Sequence, residues 1–191
     1  MSIHSEHPFA AAAGERSPLR RLRGRLVAPV SVWAAGSGRS RAGWTVSSFL
    51  LADGEPGEVV GLLDEDSDLA DRLTAGEDPT FTVNVLGWRD RQLAEAFAGL
   101  APAPGGVFRL GSWADSDWGP VLQGTAGWLG GRLRPGPVEH AGWALLVRGT
   151  VEHVEPAEVP AEGLLAHVRG RYRAVGQPSA SAAEEPSGGL D

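Results

Sequence analysis

The stretch Gly43-Trp44-Thr45-Val46-Ser47-Ser48-Phe49-Leu50 alternates large apolar side chains with small hydroxyl-bearing ones. Alternation with a period of two is typical of a β-strand with one buried face. The stretch therefore predicts a strand over residues 44–50 that carries hydroxyls on one face. The β-branched and aromatic run at residues 29–35 ends just before it at Gly36-Ser37-Gly38, so the two runs are predicted to form a hairpin.

Outward from this hairpin, apolar or alternating runs predict further strands at residues 58–63, 81–86, 124–133, 143–154 and 164–168. Helical spacing predicts three helices at residues 16–25, 67–75 and 89–100, the first two with serine N-caps at Ser17 and Ser67. Many strands joined by a few short helices are typical of an antiparallel barrel or sandwich rather than a doubly wound sheet. The fold class is therefore predicted as mainly β.

A single domain is expected from the length of 191 residues. Residues 1–15 and 176–191 lack a clear apolar period, and the second stretch is rich in Ser, Ala, Glu, Gly and Pro. Such composition buries too little apolar surface to offset the entropy of ordering the chain. We therefore predict a flexible N-terminal tail, a domain over residues 16–175 and a disordered C-terminal tail.

The composition excludes several kinds of chemistry. The chain has no cysteine and no lysine, so thiol catalysis, Cys-based metal sites, Schiff-base chemistry and a phosphate-binding P-loop lysine are ruled out. The net charge of −7 argues against a nucleic-acid-binding function. The five histidines show no metal-ligand spacing, and no apolar run approaches the ~18 residues of a membrane span. We expect a cytoplasmic protein without a metal site.

Two glycine- or arginine-rich motifs have ordinary structural explanations. Gly36-Ser37-Gly38 lacks the third glycine and the following helix of a dinucleotide-binding fingerprint, so it is interpreted as a turn. Five arginines lie between Arg16 and Arg25, where they either contact phosphates or form the solvated face of a helix.

Several segments in order resemble a known family. These are Thr45-Val46-Ser47-Ser48-Phe49, then Asn84-Val85-Leu86, then Glu139-His140, and finally Arg169-Gly170-Arg171-Tyr172. Together they resemble the flavin reductase-like family of FMN-binding split barrels over about residues 20–175. The resemblance implies a Greek-key split β-barrel that forms a homodimer and binds FMN, or FAD, near the subunit interface. It also implies hydride transfer from NADH or NADPH to the flavin, and a flavin-dependent monooxygenase as the partner that receives reduced flavin.

The resemblance also assigns roles to individual residues. The segment Trp44, Thr45, Val46, Ser47 and Ser48 is expected along the flavin ring or ribityl chain, with plain strand packing as the alternative. Ser67 is expected near the ribityl phosphate, and its alternative role is the N-cap of the next helix. Asn84 is expected either to contact the ligand or to satisfy buried backbone groups.

The remaining expected site residues come from the second half of the chain. His140 is expected near the nicotinamide or flavin ring, as the catalytic residue. Arg169, Arg171 and Tyr172 are expected on the nicotinamide side or at the dimer interface, where an arginine would suit a phosphate.

The sequence departs from the family pattern at two of these places. The phosphate loop is Asp64-Glu65-Asp66-Ser67-Asp68, whose four carboxylates would repel a phosphate. The family's Gly-Asp-His element is Val138-Glu139-His140. Two other functions therefore stay open: a non-catalytic split barrel that binds flavin or another small ligand, and an interaction module that uses the seven tryptophans.

Overall fold

The computed structural model describes residues 17–76 and 79–176. The predicted N-terminal tail and all but the first residue of the predicted C-terminal tail lie outside these ranges. Within them, the chain forms three short α-helices and thirteen β-strands. The helices are α1 (Pro18–Arg23), α2 (Asp68–Thr74) and α3 (Arg91–Phe97). The first seven strands are β1 (Ala28–Pro29), β2 (Ser31–Ala35), β3 (Ala42–Val46), β4 (Phe49–Ala52), β5 (Glu58–Asp64), β6 (Thr80–Val85) and β7 (Trp113–Ser116). The other six are β8 (Gly119–Leu122), β9 (Gly127–Leu133), β10 (Glu139–Ala141), β11 (Ala144–Pro156), β12 (Leu164–Val168) and β13 (Arg171–Val175).

The main sheet is antiparallel and has eight strands in the order β3-β2-β6-β9-β11-β5-β4, with β10 added on β11. Its two edge strands, β3 and β4, follow each other in the chain and are joined by Ser47 and Ser48 alone. Edges joined by two residues must lie close together, so the sheet curls into a barrel that stays open between them. This architecture confirms the predicted mainly-β split barrel.

The barrel interior is built around two stacked aromatic rings. Trp33 on β2 and Phe81 on β6 are fully buried and stack with their ring centroids 5.2 Å apart. A Cβ at Gly61 would lie 2.5 Å from the Trp33 ring, and one at Gly149 would lie 2.6 Å from Phe81. The glycines in strands β5 and β11 therefore provide the space that the two rings fill.

A second apolar cluster covers the outer face of β2. Val30 and Val32 pack there against Leu93 and Phe97 of α3 and against Leu165 of β12. Because β2 is buried on both faces, all of its residues are inaccessible, and after Ser31, whose hydroxyl donates to the Val46 carbonyl, its sequence is apolar rather than alternating. This packing places α3 and the β12–β13 hairpin next to each other on the outside of the barrel.

The helix starts agree with their predicted capping signals. The Ser17 hydroxyl accepts a hydrogen bond from the Arg20 amide, with Pro18 in the first helical position. The Ser67 hydroxyl accepts one from the Ala70 amide, 3.2 Å away. Both helices thus begin where a side-chain oxygen replaces a missing backbone acceptor.

Five differences separate the predicted and observed strands. The predicted strand over residues 29–35 is two strands, because β1 pairs with β12 in a small sheet whereas β2 pairs with β3 and β6 in the main one. The predicted strand over residues 44–50 is two strands, because Ser47 and Ser48 carry the chain from one sheet edge to the other. Residues 164–168 are not the last strand, since β13 pairs with them through a two-residue turn. The β7–β8 hairpin and β10 were not predicted, because short strands carry too few residues to show a period. The strand predicted from residue 124 begins at Gly127.

Candidate functional site

The opening of the barrel is lined by Ser47 and Ser48, both half-buried. The Ser48 carbonyl oxygen accepts a hydrogen bond from the Leu62 amide at 2.9 Å, which ties this junction to β5. Among residues 17–76 and 79–176, neither serine hydroxyl has a hydrogen-bond partner. The two hydroxyls are therefore available to a ligand at the place where the sheet is open.

The three preceding residues of β3 have different environments. The Thr45 hydroxyl donates a hydrogen bond to the Ala94 carbonyl of α3 at 2.8 Å. Val46 is 2% exposed and belongs to the barrel interior, and Trp44 is partly buried against the same core. Since β3 is an edge strand, part of its backbone N–H and C=O groups face away from β2 and are open to a ligand. The side chains of Thr45 and Val46 serve packing in this structure.

Ser67 lies at the start of α2 and is 2% exposed. Besides accepting from Ala70, its hydroxyl donates to the Asp64 carbonyl at 2.7 Å. The N-cap alternative is thus what the structure shows for the side chain, and a contact between Ser67 and a ligand stays a prediction.

His140 lies on β10, exposed, and contacts the acidic loop. Its Nε2 is 3.1 Å from the Glu65 carboxylate. The strand register brings them together, because His140 pairs with Leu145 and Leu145 with Leu63, two residues before Glu65. The fold therefore gathers the Ser47–Ser48 junction, the acidic loop and His140 at one end of β5.

Asn84 is fully buried and away from this end. Its amide nitrogen donates to the Val32 carbonyl at 3.1 Å, and its amide oxygen accepts from the Leu122 amide at 2.8 Å. The nitrogen also contacts the Thr82 hydroxyl and the Pro120 carbonyl. The side chain joins β2, β6 and β8, which is the structural role that the sequence left open for it.

Arg169, Arg171 and Tyr172 lie on the β12–β13 hairpin, near α3 and not beside His140. Arg169 and Gly170 both have positive φ, 53° and 73°, as a two-residue hairpin turn requires. The hairpin, α3 and the turn before it line a cavity of about 520 Å³. Tyr172 and Arg171 face this cavity together with four residues that the sequence did not single out. These are Trp88, Arg91, Glu95 and His167.

Two titratable groups in this cavity are held in their neutral forms. Burial, and then the Glu95 carboxylate, raise the pKa of Tyr172 from 10 to about 12. Burial, and then the charge of Arg23, lower the pKa of His167 below its ordinary 6.5. Both groups therefore offer hydrogen bonds rather than charges at neutral pH.

Helix α1 contacts both the end of β5 where His140 lies and the cavity beside the β12–β13 hairpin. The Arg20 guanidinium lies over the Trp143 ring, 5.2 Å from its centroid, and Trp143 is three residues after His140. Three residues further along α1, Arg23 acts on His167 in the cavity. Trp143 is 75% exposed, and Leu19 and Leu22 on α1 are exposed as well.

Metal and membrane sites are not found in the part of the chain that the structure describes. No group of three or more His, Asp or Glu side chains there could hold a metal ion. None of the helices within it has the length and apolar character to cross a membrane.

The curled antiparallel sheet, open between consecutive edge strands, defines the chain as a split barrel of the flavin reductase type. The family model described as "Flavin reductase like domain" matches residues 23–176, so the chain belongs to that family. No curated protein matches the sequence.

Solved structures with the same fold include several reductases. The NADH:FAD oxidoreductase SgcE6 of Streptomyces globisporus C-1027 is 25% identical, with a TM-score of 0.72 over 88% of this chain and 98% of that one. The flavin reductase PheA2 is 19% identical, with a TM-score of 0.71 over 83% and 97%. BorF, the flavin reductase component of a bacterial two-component tryptophan halogenase, is 21% identical, with a TM-score of 0.68 over 81% and 94%. At identities below 25%, the likeness to PheA2 and BorF shows the shared fold.

Proposed function

We propose that this protein is an NAD(P)H:flavin oxidoreductase that binds FMN or FAD at the opening between β3 and β4. The observation that carries the proposal is the family match, which spans residues 23–176 and so includes nearly the whole described fold. An SgcE6 structure described as a complex with NAD and FAD fragments, 26% identical, supports both ligands. The chain's lack of cysteine and lysine is no obstacle, since the flavin itself accepts the hydride.

The residues at the opening suit the flavin ring better than its phosphate. The free hydroxyls of Ser47 and Ser48 and the outward backbone groups of β3 provide hydrogen bonds at an apolar wall that includes Trp44. The bound flavin would supply the redox chemistry, in which the nicotinamide gives a hydride and the flavin also takes up one proton. The protein's part is to bind and orient the two rings and to shield them from water.

His140 is proposed as the residue beside the reacting rings. It is exposed at the end of β5 where the two serines lie, and the Glu65 carboxylate holds its Nε2 at 3.1 Å. Because Nε2 is paired with Glu65, Nδ1 is the ring nitrogen left to face the flavin or nicotinamide, and in the imidazolium form it can donate a hydrogen bond or a proton toward a ring that becomes protonated on reduction.

Two further properties complete the proposal. A partner monooxygenase or halogenase that uses reduced flavin is supported by BorF and by nitrilotriacetate monooxygenase component B from Mycobacterium thermoresistibile, at 20% identity and a TM-score of 0.72.

A homodimer is supported by the apolar surface that Leu19, Leu22 and Trp143 expose around α1. The cytoplasmic location stays a prediction.

The direct test is the visible spectrum of the purified protein before and after addition of FMN or FAD and removal of the excess. We expect a retained flavin band, followed by flavin-dependent loss of the nicotinamide absorbance when NADH or NADPH is added. His140→Gln should lower kcat/KM for the nicotinamide by about tenfold or more, in the range of a lost proton-transferring group.

His153→Gln is the matched control, because His153 lies on β11 against Trp118 and Trp128. We expect it to leave kcat/KM within about twofold of the unchanged protein. A protein that neither retains nor reduces either flavin would refute the proposed activity.

The second candidate function is a barrel that binds flavin without reducing it. The observation that favours it is the acidic loop, whose Glu65 pairs with His140 and places negative charge beside the ring site. In the same spectra, a retained flavin band with no NAD(P)H oxidation would support this candidate over the reductase.

A further inference from the structure

A second cavity, of about 380 Å³, lies where the β2–β3 turn, the end of α2 and the β7–β8 turn meet. Its volume is at the small end of the range of ligand-binding pockets. The described residues that line it belong neither to the Ser47–Ser48 junction, nor to the acidic loop, nor to the β12–β13 hairpin. We call it the α2-end cavity, and its wall includes Gly36, Arg72, Pro79, Asp117 and Trp118.

The β7–β8 turn forms a fixed wall of the α2-end cavity. The Ser116 hydroxyl donates to the Gly119 carbonyl at 2.8 Å and accepts from the Trp118 amide at 3.3 Å. The Trp118 ring N–H donates to the Glu152 carboxylate at 2.7 Å, and the ring stacks on His153 with the centroids 5.0 Å apart. A ring held in this way offers an apolar surface and loses little side-chain entropy when a ligand packs on it.

Two side chains of opposite charge line the cavity from different elements. Arg72 lies in the last turn of α2, and a Cβ at Gly36 would lie 3.3 Å from its Nε, so this side chain extends along the β2–β3 turn. Asp117 lies in the β7–β8 turn. Among the described residues, neither side chain has a hydrogen bond or an ion pair, and they do not pair with each other. Asp115, two residues before Asp117, is by contrast paired with Arg41 at 2.7 Å.

These two charges decide which small molecule suits the cavity. No other described residue on its wall is charged, so the wall carries no net charge. A simple anion would meet the Asp117 carboxylate, and a simple cation would meet the Arg72 guanidinium. A zwitterion suits both, since its carboxylate accepts hydrogen bonds from Arg72 while its ammonium donates to Asp117. An α-amino acid carries these two groups, and an apolar side chain on it would pack against Trp118, Ala35 and Pro79.

We propose that the α2-end cavity binds a free α-amino acid with an apolar or aromatic side chain. The ligand's carboxylate lies on Arg72, its ammonium on Asp117 and its side chain against the Trp118 ring. The observation that carries the proposal is a pair of opposite charges, unpaired within the described part of the chain, that share one cavity with a fixed aromatic ring. The inference does not rest on the proposed function, because binding requires neither flavin nor nicotinamide.

The test measures binding of L-phenylalanine to the full chain by NMR titration. We expect a dissociation constant below about 1 mM. N-acetyl-L-phenylalanine, which lacks the ammonium, and L-phenylalaninamide, which lacks the carboxylate, should each bind about tenfold more weakly or worse. Glycine, which has both charges but no side chain to pack on the ring, should also lose about tenfold or more in affinity.

Two substitutions assign each charge of the ligand to its protein partner. Arg72→Gln and Asp117→Asn should each weaken L-phenylalanine binding about tenfold or more, as loss of a charge-assisted hydrogen bond would. Arg72→Gln should not weaken binding of L-phenylalaninamide, because that ligand has no carboxylate to lose its partner. Asp117→Asn should likewise not weaken binding of N-acetyl-L-phenylalanine, which has no ammonium. Both residues are exposed, so the variants should unfold in urea like the unchanged protein.

Arg39→Gln and Asp71→Asn are the matched controls, because both residues are exposed and do not line the cavity. Each should change the affinity for L-phenylalanine by less than about twofold, since a distant exposed charge is screened. Added FMN should also leave this affinity within about twofold, because the cavity and the opening between β3 and β4 share no residue. Failure of L-phenylalanine to bind at about 10 mM, equal losses in Arg72→Gln and Arg39→Gln, or displacement by FMN would overturn the inference, whether or not the protein reduces flavin.

Discussion

The interior around Asn84 and the rim around His140 both contain polar residues that belong to the family pattern. The two regions differ in how many hydrogen-bonding groups of these residues are still unpaired. Asn84 has no exposed surface, and its amide oxygen and nitrogen bond to groups on three strands. His140 is exposed, and Glu65 is its one polar contact among the described residues. The hydroxyls of Ser47 and Ser48, at the same rim, have no hydrogen-bond partner within the described part of the chain.

The comparison shows how structural polar residues differ from ligand-binding ones. A polar group that already has protein partners for its hydrogen bonds is structural, whereas a polar group without them can bind a ligand. A buried amide whose partners are all protein groups cannot turn to a ligand without leaving those partners unsatisfied. A rim hydroxyl exchanges only water when a ligand arrives. Substitutions in the interior should therefore change stability, and substitutions at the rim should change binding.

The largest effect is expected from Asn84→Ala. It removes the acceptor of the Leu122 amide and the donor to the Val32 carbonyl, and leaves both groups buried. We expect the free energy of unfolding to fall by about 3 kcal/mol, measured by urea denaturation. Flavin affinity of the folded protein should stay within about twofold.

Gln123→Ala is the control, because Gln123 is exposed and adjacent to Leu122. It should change the free energy of unfolding by less than about 0.5 kcal/mol. If Asn84→Ala abolished flavin binding at unchanged stability, the division between interior and rim would be wrong at this position.

A smaller effect is expected from Thr45→Val, at the boundary between the two regions. The substitution removes the hydrogen bond from the Thr45 hydroxyl to the Ala94 carbonyl. The Ala94 carbonyl still accepts the helical hydrogen bond from the Ala98 amide at 3.0 Å, so it is not left without a donor. We expect the free energy of unfolding to fall by about 1 kcal/mol. Thr45→Ser keeps the hydroxyl and should therefore lose much less stability. A loss of flavin affinity instead would place the Thr45 side chain in the ligand site.

Much of the fold follows from local patterns in the sequence. Strands β5, β6 and β12 were predicted within one residue, since alternation or a continuous apolar run extends over their whole length. Ser17 and Ser67 marked the helix starts. The break at Ser47–Ser48 left a trace in the sequence that the single predicted strand overlooked: Trp44 and Val46 are apolar at even positions, whereas the next apolar residue, Phe49, is at an odd one. What interrupts the strand is the closure of the barrel, a contact between distant parts of the chain.

The candidate site was predictable as a set of residues but not as an arrangement. The sequence could not show that Tyr172 and His140 lie at separate places, because hairpin packing on α3 decides this. Trp88 and Arg91 carried a local signal, an aromatic ring and an arginine three residues apart, which would stack on one helical turn. His167 and Glu95 carried none, since only the tertiary contact between β12 and α3 brings them together.

The smallest effect on stability is expected from Glu65→Gln at the rim. The pair with His140 is about half exposed on both sides, and such pairs contribute less than about 0.5 kcal/mol. FMN affinity, by contrast, should rise about two- to threefold, because one of the four carboxylates near an anionic ligand is removed. Riboflavin, which has no phosphate, should bind both proteins equally, and Glu158→Gln, at an exposed loop position, should leave FMN affinity unchanged. A fall in affinity for both FMN and riboflavin would mean that Glu65 acts on the flavin ring by positioning His140. Flavin binding at the rim would then depend on the ion pair between these two residues.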